Sequence, residues 1–161
     1  MDSYNSIRNW FDLRGLPVNI HSEGRSVGTV DDYFYQADTN AISALRIKTS
    51  LSGFKVLAAS AISSIDQKAV TIANQEMLID ESNSGDITEL PLGNNLLGYS
   101  VLSESGTSLG TIEGVLLATY PPVALRISAF QLARGKTFSA MEVTKFGRSE
   151  LYILDKAAKR L

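Results

Sequence analysis

The chain repeats itself. Two segments spell the same four residues, Ala44-Leu45-Arg46-Ile47 and Ala124-Leu125-Arg126-Ile127, and outward from them the halves keep matching in order. Gly15-Leu16-Pro17-Val18 faces Gly98-Tyr99-Ser100-Val101, and Gly24 to Val30 faces Gly106 to Ile112. Lys55 faces Lys136, Ile62 faces Val143, Ile65 faces Phe146, and Val70-Thr71-Ile72 faces Leu151-Tyr152-Ile153. Four identical letters arise by chance; shared glycines, alternation and order along both halves do not. Such self-similarity marks a duplicated unit, so the fold must be one that can be built twice. Between the copies, Glu81 to Pro91 is polar and acidic and carries Gly85 and Pro91, which is linker composition. The organisation read from this is an N-terminal extension at 1–12, a first domain at 13–80, a linker at 81–91 and a second, more divergent domain at 92–161.

Each copy reads as short strands. Val18 and Ile20 alternate with Asn19 and His21, Leu45 and Ile47 with Arg46 and Lys48, and Leu125 and Ile127 with Arg126 and Ser128. A period of two is the signature of a half-buried strand. Gly24 and Gly106 sit where tight turns are needed, and Gly28 and Gly110 follow early in a β run, where glycine marks a bulge or a close backbone approach. Strands are predicted at 27–36, 42–49, 54–59 and 69–72, with an equivalent set in the second copy. Helical turns are predicted at 60–63 and 140–143 and a short helix at 155–161. The fold class expected is all-β: two tandem small antiparallel β-barrels with minor helical turns.

The string Leu13-Arg14-Gly15-Leu16-Pro17-Val18, then Gly24, Val27-Gly28-Thr29-Val30 and Asp31-Asp32, then Ala44-Leu45-Arg46-Ile47 and a helical turn before a final Val-Thr-Ile strand, resembles the PRC-barrel. That domain is named for the cytoplasmic part of the photosynthetic reaction centre H subunit and also forms the C-terminal half of the ribosome maturation factor. The resemblance covers 13–75 strongly and 96–155 less strongly. In the second copy Ser100 replaces Pro17, and Gly114 stands where Asp32 does in the first. The resemblance implies a small, strongly bent barrel that serves as a docking module, with no catalytic residues to carry over.

Composition removes several chemistries. With no Cys there are no disulfides, thiolate metal sites or Cys nucleophiles, and a single His, His21, excludes any site needing two imidazoles. His21 reads as an outward strand residue beside a turn rather than part of a triad. Asp31 and Asp32 point to opposite faces of a strand unless a bulge intervenes, so they do not form an acid/base pair, and Asp32 is expected to accept N–H groups of a loop. Asp80-Glu81 with Asp86 and Glu89 has the composition of a cation-binding loop but lacks the spacing of a calcium loop. The two Gly-x-x-x-Gly turns have no following Lys-Ser/Thr to make a phosphate loop. No catalytic residue, metal or cofactor is expected. The N-terminal residues have neither a basic nor an apolar region of a secretory signal. The longest apolar runs, such as 56–62, fall far short of the roughly 20 residues of a spanning helix. A soluble, cytoplasmic, non-enzymatic protein is the expectation.

Its candidate surfaces are aromatic and basic. Tyr4, Ile7, Trp10 and Phe11 would lie on one face of a helical turn or two, covering a barrel end or anchoring a partner. Tyr33-Phe34-Tyr35 places rings on both faces of a strand, so one face must meet the other copy, solvent or an interface. Residues 1–80 carry 9 acids and 7 bases, the linker 3 acids, and residues 92–161 5 acids and 8 bases. The acidic linker is therefore expected against the basic second copy. Arg134, Lys136, Lys145, Arg148, Lys156, Lys159 and Arg160 form an ordinary solvated face or a site for an anionic partner. The candidate interaction surface comprises Trp10, Phe11, Tyr33, Tyr35, Arg134, Lys136, Lys145 and Arg148. The function expected is a protein-binding adapter, with a protein partner and self-association as a further outcome. The alternatives are an RNA- or ribosome-linked role through the basic second domain, and a small molecule in the cleft between barrels. Outward rings such as Tyr33 or Tyr35 are expected to join the two copies, with Trp10 and Phe11 at that contact or capping the first barrel.

Overall fold

A computed structural model describes residues 7–51, 53–119 and 125–161; Tyr4 and Ala124 lie outside them. The described chain is mostly β. Its first half holds β1 (Ile7–Asn9), the single helical turn α1 (Trp10–Leu13), β2 (Pro17–Ile20), β3 (Ser26–Tyr35), β4 (Ile42–Thr49), β5 (Gly53–Ala58), β6 (Ile62–Ile65), β7 (Val70–Ile72) and β8 (Leu78–Asp80). The second holds β9 (Ser100–Ser103), β10 (Ser108–Thr111), β11 (Gly114–Ala118), β12 (Arg126–Gln131), β13 (Thr137–Ser139), β14 (Val143–Phe146), β15 (Glu150–Ile153) and α2 (Asp155–Arg160). Among the described residues no helix is long and apolar enough to cross a membrane.

Seven strands of the first half, in the order β6-β7-β2-β3-β4-β5-β8, curl into a half-barrel. The second half follows the same order through two sheets, β14-β15-β9-β10 and β11-β12-β13. The long β3 of the first half corresponds to β10 and β11 together. In each half the strand after the glycine corner, Gly15 or Gly98, pairs in parallel with a strand from the end of the repeat, β2 beside β7 and β9 beside β15. Gly15 and Gly98 make the same corner, at φ +90° and +92°. Their N–H groups donate to Val30 and Ile112 carbonyls, both at 2.8 Å. Glycine reaches this left-handed region without a steric penalty. At Gly28 the need is space instead: a Cβ there would stand 2.7 Å from the Ile47 side chain and the Lys48 carbonyl.

The register corrects one match. Ala44-Leu45-Arg46-Ile47 lies within β4, where Leu45 pairs with Tyr33 and Leu57. Leu125 precedes β12, and Ile127 pairs with Leu117, the counterpart of Tyr35. The shared Ala-Leu-Arg-Ile is therefore offset between the halves. The equivalent run is Ile42-Ser43-Ala44 against Ile127-Ser128-Ala129. Each contains a bulge at its serine, because Ile42 and Ala44 oppose Tyr35 and Phe34 as Ile127 and Ala129 oppose Leu117 and Leu116. A bulge adds one residue to one strand and bends it, which fixes register more firmly than letter identity.

The halves hold each other reciprocally. β1, ahead of the first half, pairs with β11 of the second, Asn9 beside Leu116. Leu92, ahead of the second half, bridges to Phe34 of β3, and the Tyr35 N–H donates to the Pro91 carbonyl at 3.1 Å. Ala41 and Arg126, themselves equivalent positions, form an antiparallel bridge. It is flanked by Ile42 N–H to Leu125 O at 3.0 Å and Ile127 N–H to Asn40 O at 2.8 Å. These pairs exchange under the relation that exchanges the halves, the pattern of an isologous dimer contact within one chain. Two expectations are overturned here. Ile7 lies in a strand rather than on a helical face, since pairing with β11 satisfies its backbone. The linker lies on the first half: its Ile87 and Leu90, with Leu92 just beyond it, pack on Phe34, Ala44 and Val56.

Candidate functional site

The aromatic residues converge on the contact between halves. Trp10 is 0% exposed, and its ring meets Tyr33 edge-on with centroids 4.7 Å apart at 77°. Tyr33 is 0% exposed and tilts against Tyr35 at 6.2 Å, and Tyr35 reaches Phe146 of β14 at 6.2 Å. Phe146 in turn meets Phe130, which stacks on Phe138 at 5.4 Å. One apolar core thus runs from α1 through both halves. Trp10, Tyr33 and Tyr35 are corrected as members of an accessible surface: the strand face carrying the two tyrosines points into this core, and the pairing of β1 carries Trp10 over it. Burial pushes both tyrosine hydroxyls well above their ordinary pKa. Among the described residues the buried Tyr33 hydroxyl has no hydrogen-bond partner.

Asn94 ties this contact together. It stands in a 3₁₀ turn (Gly93–Leu96) that leads into β9. Its Oδ1 accepts from Trp10 Nε1 at 2.7 Å, its Nδ2 donates to the Asp31 carbonyl at 3.1 Å, and its backbone N–H donates to Asp32 Oδ1 at 2.9 Å. Asp32 Oδ1 also accepts the Tyr33 N–H at 2.8 Å. Asp32 is buried and accepts an N–H from the segment leading the other half. A bulge does intervene at Asp31, between Val30 and Asp32. Asp31 Oδ2 comes within 3.8 Å of Arg46 Nε, and Glu81 Oε2 of the linker within 3.7 Å. The Arg46 guanidinium lies 3.7 Å over the Phe54 ring.

In the second half Gly114 occupies the Asp32 position, and the role passes to a neighbouring strand. The Gln131 side chain fills the space a Cβ at Gly114 would take, and its Oε1 accepts from Asn9 Nδ2 at 3.3 Å. Each leading segment is thus held by one polar side chain of the other half. Burial raises the Asp32 carboxyl pKa against the lowering effect of its two N–H donors. A raised carboxyl pKa means that the fold prefers the protonated form, so this group adds stability as pH falls through its folded pKa toward its unfolded value. Asp32→Asn keeps an acceptor and removes the charge; Asp32→Ala strips the acceptor from two N–H groups. Urea midpoints should show a loss of about 1–3 kcal/mol for the alanine variant and clearly less for the asparagine. Equal losses would mean that the charge, not the acceptor, is what matters.

The remaining candidates stay apart from this contact. Phe11 is 50% exposed on α1. Arg134 and Lys136 are exposed at the turn between β12 and β13, and Lys145 and Arg148 at the β14–β15 hairpin, with the Lys145 ammonium 5.7 Å from the Tyr152 ring. His21 is exposed at the turn after β2. Between the halves, Ala37, Asp38 and Asn40 face Val143 to Phe146 across a cavity of about 320 Å³. A larger one of about 630 Å³ lies within the first half, lined by Arg25, Lys48 and Lys55 among hydroxyl side chains. Among the described residues no group of His, Asp and Glu is placed to hold a metal ion.

α2 is fixed by a charge clamp. Arg160 donates to both Glu142 oxygens, at 2.6 and 2.9 Å, and the Ser139 N–H donates to the same carboxylate at 2.9 Å. The Arg160 hydrogen bonds, with the Ser139 N–H, lower the Glu142 carboxyl from 4.5 to about 2. A depressed carboxyl pKa contributes stability above its unfolded value and loses it as pH falls through the folded one. The Glu142 side-chain carboxyl resonance should therefore titrate near pH 2. A midpoint at its ordinary value would show the clamp open in solution.

Asn94, Gly93, Gln131 and Asn9 escape sequence reasoning. Asn and Gly in a polar stretch read as loop, and nothing local marks a side chain that reaches across the repeat. The one available signal was the pair of strong corners at Gly15 and Gly98, which places α1 and residues 93–96 in equivalent positions. No protein-family model matches the chain, and comparison with the curated proteins finds no match.

Proposed function

We propose that the chain is a non-enzymatic, cytoplasmic docking module of two tandem PRC-barrel-like domains, at 13–80 and 92–161, that binds another protein. The observation that carries this reading is the reciprocal hold between halves. Asp32, Asn94, Gln131, Asn9 and Trp10 all fix one half against the other, so two outer sheet faces stand in a constant relation. That arrangement suits the bridging of partners. Large apolar side chains remain outside the core, with Phe11 50% and Met141 88% exposed. A photo-crosslinking amino acid at Phe11 or Met141 should capture a discrete protein in cells, and the same group at exposed Gln67 should not. No product at either position, or products equal to those at Gln67, would sink the reading.

The RNA-linked alternative draws on Lys145 above Tyr152 and on exposed Arg148 in the adjoining turn. Cation and ring together form a small platform for a base and its phosphate. Salt-dependent binding of single-stranded RNA, abolished by Lys145→Glu with Arg148→Glu, would favour it over the protein-binding reading.

A further inference from the structure

One end of the first half gathers positive charge around a concavity. The β2–β3 turn, the β4–β5 turn and the 3₁₀ turn after β7 (Gln75–Met77) meet around the cleft of about 630 Å³. Arg25, Lys48 and Lys55 line it with the hydroxyl groups of Ser26, Thr29 and Ser50. Val27 and Leu78, which rest on the core, form its apolar part. Among the described residues no acidic side chain lines it. A chain whose net charge is −2 thus places three cations around one cleft. Its volume is that of a small-molecule site, about 300–1,000 Å³.

The three cations keep donors to spare. Arg25 Nε donates to Glu23 at 2.9 Å and its Nη2 to Gln75 Oε1 at 3.4 Å, two of the five N–H groups a guanidinium carries. Lys55 Nζ donates to Asp80 at 2.5 Å, and among the described residues Lys48 has no ion-pair partner. The fold does not require Arg25 or Lys48. The repeat puts Thr107 in the place of Arg25. The pairing of Arg46 with Asp32 and of Gln131 with Gly114 puts Ala133 in the place of Lys48. The residues that border 1–6 and 120–124 meet the first half at its other end. There Arg8 donates to the Asp66 carbonyl and the Ile42 N–H to the Leu125 carbonyl. Ile42 lies about 20 Å along β4 from Lys48.

We propose that this cleft binds a small molecule through a phosphate monoester group. Such a group carries nearly two negative charges near neutral pH and three strong acceptor oxygens. Arg25 offers paired N–H donors, Lys48 and Lys55 supply compact charge, and the Ser26, Thr29 and Ser50 hydroxyls donate. The remaining volume takes the organic part of the ester beside Val27 and Leu78. Leu51, 96% exposed in the β4–β5 turn that forms the rim, separates two sources of the phosphate. A phospholipid headgroup would bring Leu51 into the bilayer, and a soluble ester would leave it in water. The site is independent of the docking reading, since it uses neither Phe11 nor Met141 nor any residue that joins the halves.

Glycerol 3-phosphate is the probe, because it is both a soluble phosphate ester and the phosphate end of phosphatidic acid. Titrated into the isotope-labelled full chain, it should move the amide resonances of Ser26, Thr29, Lys48 and Ser50. Glycerol at the same concentration should move none of them, and the resonances of Lys136 and Arg148, exposed cations of the second half, should stay still. Lys48→Gln and Arg25→Gln should each weaken binding by about threefold to tenfold, a loss that shrinks as salt rises. Lys145→Gln should leave binding unchanged. Sedimentation of the chain with vesicles of equal parts phosphatidylcholine and phosphatidic acid, lost with Leu51→Asp and with Lys48→Gln, would support the proposal and assign the phosphate to a lipid. Resonance shifts at the cleft without sedimentation would support it and assign a soluble ester. No shift at the cleft by about 10 mM probe, together with no sedimentation, overturns the proposal. Equal shifts at Lys48, Lys136 and Arg148 overturn it as well, because they show only diffuse attraction between charges. A partner crosslinked at Phe11 or Met141 beside either failure would leave the docking module standing and reject this cleft alone.

Discussion

Trp10→Ala should lower the unfolding free energy of the full chain by about 3–5 kcal/mol, among the largest losses a single truncation produces. The indole is wholly buried, lies edge-on against Tyr33 at 4.7 Å and donates to Asn94 at 2.7 Å. Truncation opens a cavity at the contact between halves and also leaves Asn94 Oδ1 without its donor. The buried acceptor adds its own cost of about 1–3 kcal/mol where water does not reach it. Because a domain's net stability is only about 5–15 kcal/mol, the variant should unfold at far lower denaturant. Trp10→Phe separates the contributions: it keeps most of the ring contact and loses the hydrogen bond, so its loss should be well under half. Trp10 is the only Trp, so circular dichroism must follow the transition. A loss below about 1 kcal/mol for the alanine variant would show an indole free of the core in solution.

Most of the β framework was legible because it depends on local rules. Alternation in Val18-Asn19-Ile20 and Val70-Thr71-Ile72 becomes β2 and β7, and the glycine corners fall at equivalent places in both halves. The contact between halves was not legible in detail, for three physical reasons. The bulges at Ser43 and Ser128 add a residue to one strand without disturbing composition, so Ala-Leu-Arg-Ile looked equivalent when Ile-Ser-Ala is. Ile7 and Phe11 have helical spacing, yet a three-residue strand takes Ile7 because β11 offers backbone partners. The linker's acids pointed to the basic half, but exposed ion pairs contribute about 0–1 kcal/mol and a fully buried aliphatic side chain about 1.5–3. Even partly buried, Ile87, Leu90 and Leu92 outweigh three exposed or half-exposed acids, and the segment settles on Phe34, Ala44 and Val56.

Gly93→Ala should be the most damaging glycine substitution in the chain, and for reasons of volume rather than backbone. Gly93 does not need the left-handed region, unlike Gly98 at φ +92°, where a Cβ would meet nothing within 4 Å. A Cβ on Gly93 would instead overlap the Tyr33 ring, which is itself closed in by Trp10 and Tyr35. Relief requires moving either the ring or the segment carrying Asn94, and the latter breaks the N–H bond to Asp32. Overpacking of a close-packed core costs about 1–3 kcal/mol, with loss of that hydrogen bond in addition. The second half shows how the same contact is solved with opposite sizes. The repeat places Trp10 where Gly93 stands and Val115 where Tyr33 stands, and α1 packs on β11. One half pairs a large strand residue with glycine, the other a small strand residue with tryptophan. Tyr33→Val alone should destabilise by opening a cavity against Trp10. Combined with Gly93→Ala it should cost less than the two single losses together, because the added methyl then has room. A double-mutant cycle in urea should give a favourable coupling of about 1 kcal/mol or more between these positions. Strict additivity would mean that Gly93 and Tyr33 do not share the space, and that the leading segment of the second half is not seated on β3 in solution.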